Sequence, residues 1–89
     1  MVKVYDDRGF KVYLYSPPRE HEPPHVHVEC AEGGEVLVLL GEGGSSPVLW
    51  QNHHMKRVDA REAVRIVQEH HQRFLAEWRR INDQADPRP

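Results

Sequence analysis

The stretch His21-Glu22-Pro23-Pro24-His25-Val26-His27-Val28-Glu29 shows how the centre of this 89-residue chain folds. His25 and His27 alternate with valines, which is the period of a β-strand with one polar and one apolar face. In such a strand the two imidazoles point to the same side, roughly 7 Å apart. The two prolines fix φ and remove two backbone donors, so we expect the lead-in to this strand to be stiff and extended.

Alternating segments on both sides of the histidine strand predict a sheet. Val2–Asp6 and Phe10–Tyr15 alternate apolar and polar residues around an Asp-Asp-Arg-Gly turn, a pattern typical of a β-hairpin. Glu35–Leu40 is apolar on both faces, which suits a covered strand, and Val48–Trp50 predicts a short fifth strand.

From Asp59 onward the hydrophobic period becomes that of an amphipathic helix. Asp59, with Glu62 three residues later, matches a capping box, and the predicted helix runs about six turns to near Asp83. The apolar stripe consists of Ala60, Ala63, Val64, Val67, Phe74, Leu75, Trp78 and Ile81. The predicted fold is therefore α+β: a small antiparallel sheet of four to five strands with one long C-terminal helix packed on one face. We expect a single domain over residues 1–84 and a flexible tail at 85–89.

Length and composition limit the classes of function. A chain of 89 residues allows one core, and so small a domain would gain stability from a partner or as a homodimer. The net charge of −2 gives no overall attraction to nucleic acid or to anionic membranes, so any RNA contact would come from a local patch. The single cysteine excludes an internal disulfide, and no apolar run approaches the roughly 20 residues that span a bilayer. We expect a cytoplasmic protein with no membrane partner.

The polar face of the predicted sheet collects groups that bind anions, stack on bases and move protons. Antiparallel pairing of Phe10–Tyr15 with the histidine strand would place on one face Lys11, Tyr13, Tyr15, His25, His27 and Glu29. Two imidazoles can divide the roles of base and acid. Attack of a ribose 2′-hydroxyl on phosphate needs both roles and a cation, such as Lys11, for the developing charge. One interpretation of this face is therefore acid–base chemistry.

Two other interpretations of the same residues stay open. His25 and His27 would bind zinc or a similar divalent transition metal, with a third ligand from His21, Glu22 or Glu29, although the spacing matches no closed structural-zinc pattern. Alternatively, the histidines form a solvated face that hydrogen-bonds to loop backbone.

The remaining histidines and charges favour structural roles. His53 and His54 are expected in a polar loop, and His70 and His71 at the margin of the helix stripe. A ladder of alternating charge at a spacing of four predicts a solvated helix face, and it consists of Arg65, Glu69, Arg73 and Glu77. Cys30 is expected to be a buried small apolar side chain.

Two motifs resemble the bacterial family called domain of unknown function 4160. They are Gly9–Ser16 and Glu20–Val28, the second with the family's specific His-x-Pro-Pro-His-x-His core. The similarity continues through Gly34–Leu40 and an Arg-Glu-Ala helix that ends near Trp78. Members are small bacterial proteins often encoded beside another short protein, so the resemblance implies a toxin with a small cognate antitoxin-like partner. The family has no established catalytic residues. The resemblance therefore identifies only the positions of this chain that match the motif, which are His21, Pro23, Pro24, His25 and His27.

Two hypotheses for the function follow. In the first, the protein is the toxin-like component of a two-gene system and acts on RNA without a cofactor. His25 and His27 are then the acid–base pair, His21 is an auxiliary group and Lys11 contacts the anion. The binding surface would include Tyr13, Tyr15 and Glu29. In the second, the protein is a non-enzymatic binding module whose sheet edge or helix docks a cognate protein and whose histidines are structural or bind metal.

Overall fold

The computed structural model describes residues 1–15, 23–41 and 44–85, with side chains described to residue 82. Its elements in chain order are β1 (Val2–Asp7), β2 (Phe10–Leu14), β3 (His25–Cys30), β4 (Glu35–Leu39), β5 (Val48–His53), α1 (Arg57–Glu69) and α2 (His71–Ala85). The strands form one antiparallel sheet in the order β1-β2-β3-β4-β5, so each strand pairs with its neighbours in the chain. The predicted α+β class and the antiparallel sheet are confirmed.

The C-terminal region contains two helices, so the prediction of one long helix is wrong. His70 separates them, with φ −111° and ψ 22°. Its imidazole lies 5.2 Å from the ring of Tyr5 and 5.5 Å from that of Phe74, between ring centroids. The hydrophobic stripe continues across the break, which is why the periodicity alone could not locate it. These contacts with β1 and α2 hold His70 at the point where α1 ends and α2 begins.

The beginning of α1 also differs from the prediction. The helix starts at Arg57, and Lys56 occupies the N-cap position without a side-chain cap. Asp59 therefore lies in the first turn, where its negative charge interacts favourably with the helix dipole. Glu62 accepts a hydrogen bond from Arg65 instead of capping the helix. The predicted capping box does not form. Instead, Asn52 closes the turn before the helix, because its Oδ1 accepts the Met55 N–H at 2.9 Å.

The break at His70 also divides the predicted ladder of charges. Arg65 donates to Glu62 and Glu69 within α1. In α2, Arg73 donates to the backbone carbonyl of Val4 in β1. Among the described ion pairs, the ladder is therefore represented by Arg65–Glu69 alone, and Arg73 instead connects α2 to the sheet.

One face of the sheet packs on both helices and forms the core. The strands contribute Val4, Phe10, Val12, Leu14, Val26, Val28, Val36 and Val38, and Leu40 and Met55 follow β4 and β5. The helices contribute Ala60, Ala63, Ile66, Val67, Phe74, Leu75, Trp78 and Ile81. Cys30 and Val64 are partly buried at the margin of this core. Nowhere in the described chain is a helix long and apolar enough to cross a membrane. The opposite face of the sheet carries the candidate site.

Candidate functional site

The face of the sheet that points away from the helices is called here the histidine face. It is defined by Lys11, Tyr13, Tyr15, His25, His27, Glu29, Glu35 and Trp50. β2 and β3 pair with Lys11 opposite Glu29 and Tyr13 opposite His27. β4 then places Glu35 opposite Glu29 on the other side of β3. Since residues that pair across an antiparallel sheet share a face, this register brings the predicted polar groups together.

His27 forms a hydrogen-bonded pair with a carboxylate. Its Nδ1 lies 3.2 Å from Oε2 of Glu35, and the side chains of His27 and Glu35 are 16% and 34% exposed. A carboxylate only accepts, so His27 donates its Nδ1–H and carries its basic lone pair on Nε2. This pair matches the base and orienting group of a catalytic triad.

His25 lies beside His27 and is buried rather than solvated. Only 5% of its surface is exposed, although it occupies the polar side of β3. Its Nδ1–H donates to the carbonyl oxygen of Pro23 at 2.9 Å, so Nε2 is again the basic nitrogen. The His25 and His27 ring centroids are 5.3 Å apart, with an angle of 53° between the rings. The expectation of a fully solvated histidine face therefore does not hold at His25.

Aromatic rings flank the two imidazoles. Tyr15 meets the His27 ring edge-on at 4.5 Å between centroids, and Trp50 meets the His25 ring edge-on at 5.1 Å. The four rings form a row across the sheet, from the end of β2 to β5. Trp50 remains 41% exposed, so part of its indole face is available to a ligand.

Two residues of this site, Glu35 and Trp50, were missed by the sequence reasoning. Trp50 lies in a β-bulge, because Leu37 pairs with Gln51 while Val38 pairs with Leu49. A bulge re-aims a side chain without leaving a sequence pattern. Glu35 could have been found, because a short turn after Cys30 sets the register that brings it beside His27.

Lys11, Tyr13 and Glu29 surround the histidine pair. Tyr13 is half-buried directly opposite His27, whereas Lys11 and Glu29 are exposed and opposite each other. Lys11 is thus a diagonal neighbour of His27, at about 7–8 Å on the pleated sheet. It is a cation on this face and lies within reach of an anion held at His27.

The proposed zinc ligands are only partly covered by the structure. His21 lies outside the described residues, and within residues 1–15, 23–41 and 44–85 there is no group of three or more metal-ligating side chains. His25 and His27 nevertheless both donate Nδ1–H to an oxygen, which is how proteins orient a histidine that binds metal through Nε2. The arrangement of the two imidazoles thus suits a base and a metal ligand equally.

Among the other described histidines, His53 pairs with Glu35 across the sheet and so borders this site, whereas His70 and His71 make their contacts elsewhere. His53 ends β5, so its predicted loop position is wrong, and its Nε2 bonds to Gln51 Oε1 at 3.0 Å on an exposed surface. His54 follows with a positive φ of 70°. His71 donates Nε2–H to the carbonyl of Gly41 at 3.2 Å and so ties α2 to the loop after β4. These contacts are structural, as expected for His70 and His71.

The comparisons with known proteins identify a family and no activity. A family model described as Domain of unknown function (DUF4160) matches residues 9–79, which include β2 to β5, α1 and most of α2. No curated protein and no solved structure matches the chain.

Proposed function

The chain belongs to the family described as Domain of unknown function (DUF4160), and from the chemistry of its histidine face we propose that it cleaves RNA as the toxin-like component of a two-gene system. The observation that supports this proposal is the His27–Glu35 pair beside the second imidazole of His25. A carboxylate-oriented base with a second proton carrier nearby is the minimal equipment for cleavage by the ribose 2′-hydroxyl. The two-gene context follows from the family resemblance.

In the proposed reaction, His27 acts as the general base. Its Nε2 takes the proton of a ribose 2′-hydroxyl, and the 2′-oxygen bonds to the adjacent phosphorus. The bond from phosphorus to the 5′-oxygen breaks, and that oxygen takes a proton from the protonated imidazole of His25. The products are a 2′,3′-cyclic phosphate and a 5′-hydroxyl end. Glu35 accepts the Nδ1–H bond throughout and stabilises the positive charge that forms on His27.

The neighbours of His27 supply the other roles. His25 is the second imidazole. Because it is almost fully buried, it can exchange a proton only with an atom that lies directly against its ring. Lys11 would face the negative charge that develops on the phosphate. Tyr15 and the exposed face of Trp50 offer stacking surfaces for unpaired bases, the usual targets of proteins that bind single-stranded RNA. With a net charge of −2, affinity would come from these local contacts.

The test is a set of matched histidine variants assayed on a short single-stranded RNA. We expect His27→Ala to lose about 10²–10⁴-fold in cleavage rate, the usual contribution of a general base. Glu35→Gln should lose less, because it keeps a hydrogen-bond acceptor but removes the charge. His54→Ala is the control, since His54 is exposed and follows the end of β5. A substrate with one 2′-deoxyribose should remain intact at that position.

Growth inhibition on expression checks the same assignment in cells. A folded His27→Ala protein that inhibits growth as strongly as the wild type would contradict the catalytic role. So would a wild-type protein that neither cleaves RNA nor inhibits growth.

The second candidate function is a binding module whose histidines hold zinc. The observation that favours it is the shared arrangement of His25 and His27, each with Nδ1–H bound to an oxygen. It predicts that zinc added to untagged protein abolishes the NMR titration of both imidazoles, and that the double alanine variant loses zinc binding. Imidazoles that titrate equally with and without zinc would exclude it.

A further inference from the structure

The two edges of the sheet differ in how they are protected. β1 carries Lys3, Asp6 and Asp7, contains a bulge, and has its Val4 carbonyl occupied by Arg73. Charges, bulges and covering side chains are the usual means of blocking an edge strand. β5 has the sequence Val-Leu-Trp-Gln-Asn-His without a formal charge, and among the described strands it pairs only with β4. Within the part of the chain that the structure describes, no strand covers its outer edge, which is available for pairing with another strand.

Exposed apolar side chains are concentrated beside this edge. The large apolar residues exposed in the described chain are Met1, Val2, Val48, Leu49, Trp50 and Val58. Four of these six lie on β5 or at the start of α1, and the other two are at the N-terminus. Such clustering marks an interaction surface, whereas scattered exposed apolar residues do not.

A groove runs between β5 and α1 next to the open edge. Its volume is about 1090 Å³, and its apolar lining includes Leu49, Met55, Val58 and Val64. The rim carries charges of both signs. Arg57, Asp59 and Arg61 have no ion-pair partner within the described residues, whereas Arg65 is neutralised by Glu62 and Glu69.

We propose that β5 pairs antiparallel with β5 of a second copy of this chain, forming a twofold dimer with a continuous ten-stranded sheet. The α1 helices of the two copies would then meet above the junction and fill each other's grooves. The strand β5 also carries Trp50 of the histidine face, but the inference can be tested apart from the proposed RNA chemistry, because it uses no residue of the His27–Glu35 pair.

The chemistry of the surface favours a second copy over a different partner. In a twofold interface the same surface occurs on both sides, so it must complement itself. β5 meets this condition because an uncharged strand opposes its copy without repulsion. The groove meets it because its apolar lining can oppose the apolar lining of the other copy, and Asp59 of each copy offers a partner to one of the other copy's two unpaired arginines. A strongly acidic partner would leave Asp59 facing like charge.

The dimer would place both histidine faces on the same side of the joined sheet. Five strand spacings of about 4.8 Å separate β3 from its copy, so the two sites would lie about 24 Å apart. A ligand longer than this distance could contact both sites.

The test is the molar mass of the purified chain in solution, measured by sedimentation equilibrium. We expect a mass of twice 10.4 kDa for the wild type. Leu49→Lys, which places a charge on an exposed side chain at the junction, should weaken association at least tenfold. Val2→Lys makes the same kind of change on exposed β1 and should leave the dimer intact. Circular dichroism confirms that both variants are folded.

Hydrogen exchange then locates the interface. Amides on the outer edge of β5 should be protected in the wild type and exchange rapidly in the Leu49→Lys variant at equal concentration. A wild-type chain that is monomeric at about 1 mM would overturn the proposal. A dimer that survives Leu49→Lys unchanged, with unprotected β5 amides, would overturn it as well, because the contact would lie elsewhere.

Discussion

At the scale of single residues, Gly34 is the described glycine whose replacement by a larger residue would bring a side chain closest to neighbouring backbone atoms. It closes the turn between β3 and β4 with a φ of +94°. A Cβ at this position would lie 2.5 Å from both N and Cα of Met55 and 2.6 Å from the carbonyl oxygen of His54. The turn therefore lets the chain after β5 pass directly against it, and this contact also helps to place Glu35 beside His27.

This contact predicts different costs for two neighbouring glycines. Gly33 has a φ of +112°, but a Cβ there meets nothing within 4 Å. Both Gly33→Ala and Gly34→Ala place a side chain at positive φ, at a cost of about 1 kcal/mol. Gly34→Ala must also displace backbone, so we expect it to lose about 2 kcal/mol more in free energy of unfolding. Urea denaturation measures the difference, and equal losses would show that the backbone moves aside freely.

At the scale of elements, Arg73 is a side chain that connects α2 to the edge strand β1. Arg73 donates to the Val4 carbonyl at the β1 bulge, and its guanidinium lies 5.5 Å from the centre of the Phe74 ring. An arginine that bridges elements in this way contributes more than one in an exposed ion pair. Arg80, on the same helix, pairs among the described residues only with Glu77, on the surface at 2.6 Å.

We therefore expect Arg73→Ala to lower the free energy of unfolding by about 1–3 kcal/mol, as for a charged hydrogen bond that is removed. Arg80→Ala should cost at most about 0.5 kcal/mol, as for an exposed ion pair. Thermal unfolding of both variants checks the comparison. If Arg73→Ala and Arg80→Ala lower the free energy of unfolding by the same amount, Arg73 does not anchor β1.

Within α1, the ion pairs of Arg65 predict a dependence on pH. The hydrogen bond from Arg65, together with its positive charge, holds the pKa of Glu62 below its usual value of 4.5. A carboxyl whose pKa is lowered by folding contributes stability above its unfolded pKa and loses it as the pH falls through the folded pKa. Glu62→Gln should therefore flatten the loss of stability on acidification, by a small amount because the pair is exposed.

Unfolding midpoints measured from about pH 6 down to about pH 2 test this expectation. The difference between Glu62→Gln and the wild type should shrink in about 1 M salt, which screens exposed charges. An identical acid slope in both proteins would mean that the pair contributes nothing to stability.

At the scale of the whole molecule, stability depends on one layer of contacts between sheet and helices. Phe74 is fully buried in this layer and also contacts Tyr5 edge-on, with centroids 6.4 Å apart. Phe74→Ala should cost about 3–5 kcal/mol, which is a large part of the total stability of a small domain. Val58→Ala is the control, since Val58 is 68% exposed, and it should change stability by less than about 0.5 kcal/mol if the protein is studied as a monomer. A mild effect of Phe74→Ala would indicate that the core rearranges to fill the space.

Much of the fold was predictable because the relevant patterns are local. Alternation in β3 and the stripe from Ala60 to Ile81 are properties of a few consecutive residues, and both predicted the correct buried faces. The candidate site was predictable in part, since Lys11, Tyr13 and His27 share a face as soon as β2 pairs with β3. Glu35 was missed although the short turn after Cys30 sets the register of β4, and Trp50 was not predictable because its position depends on a bulge in β5.

The sequence by itself determined the α+β class, the antiparallel pairing and the side of β3 on which the histidines lie, because backbone periodicity sets which way each side chain points. Only the tertiary structure decided that His70 breaks the helix, that His25 is buried beside Trp50, and that His27 is paired with Glu35. Each of these features is a contact between residues on different elements, and such contacts depend on packing and register rather than on local pattern.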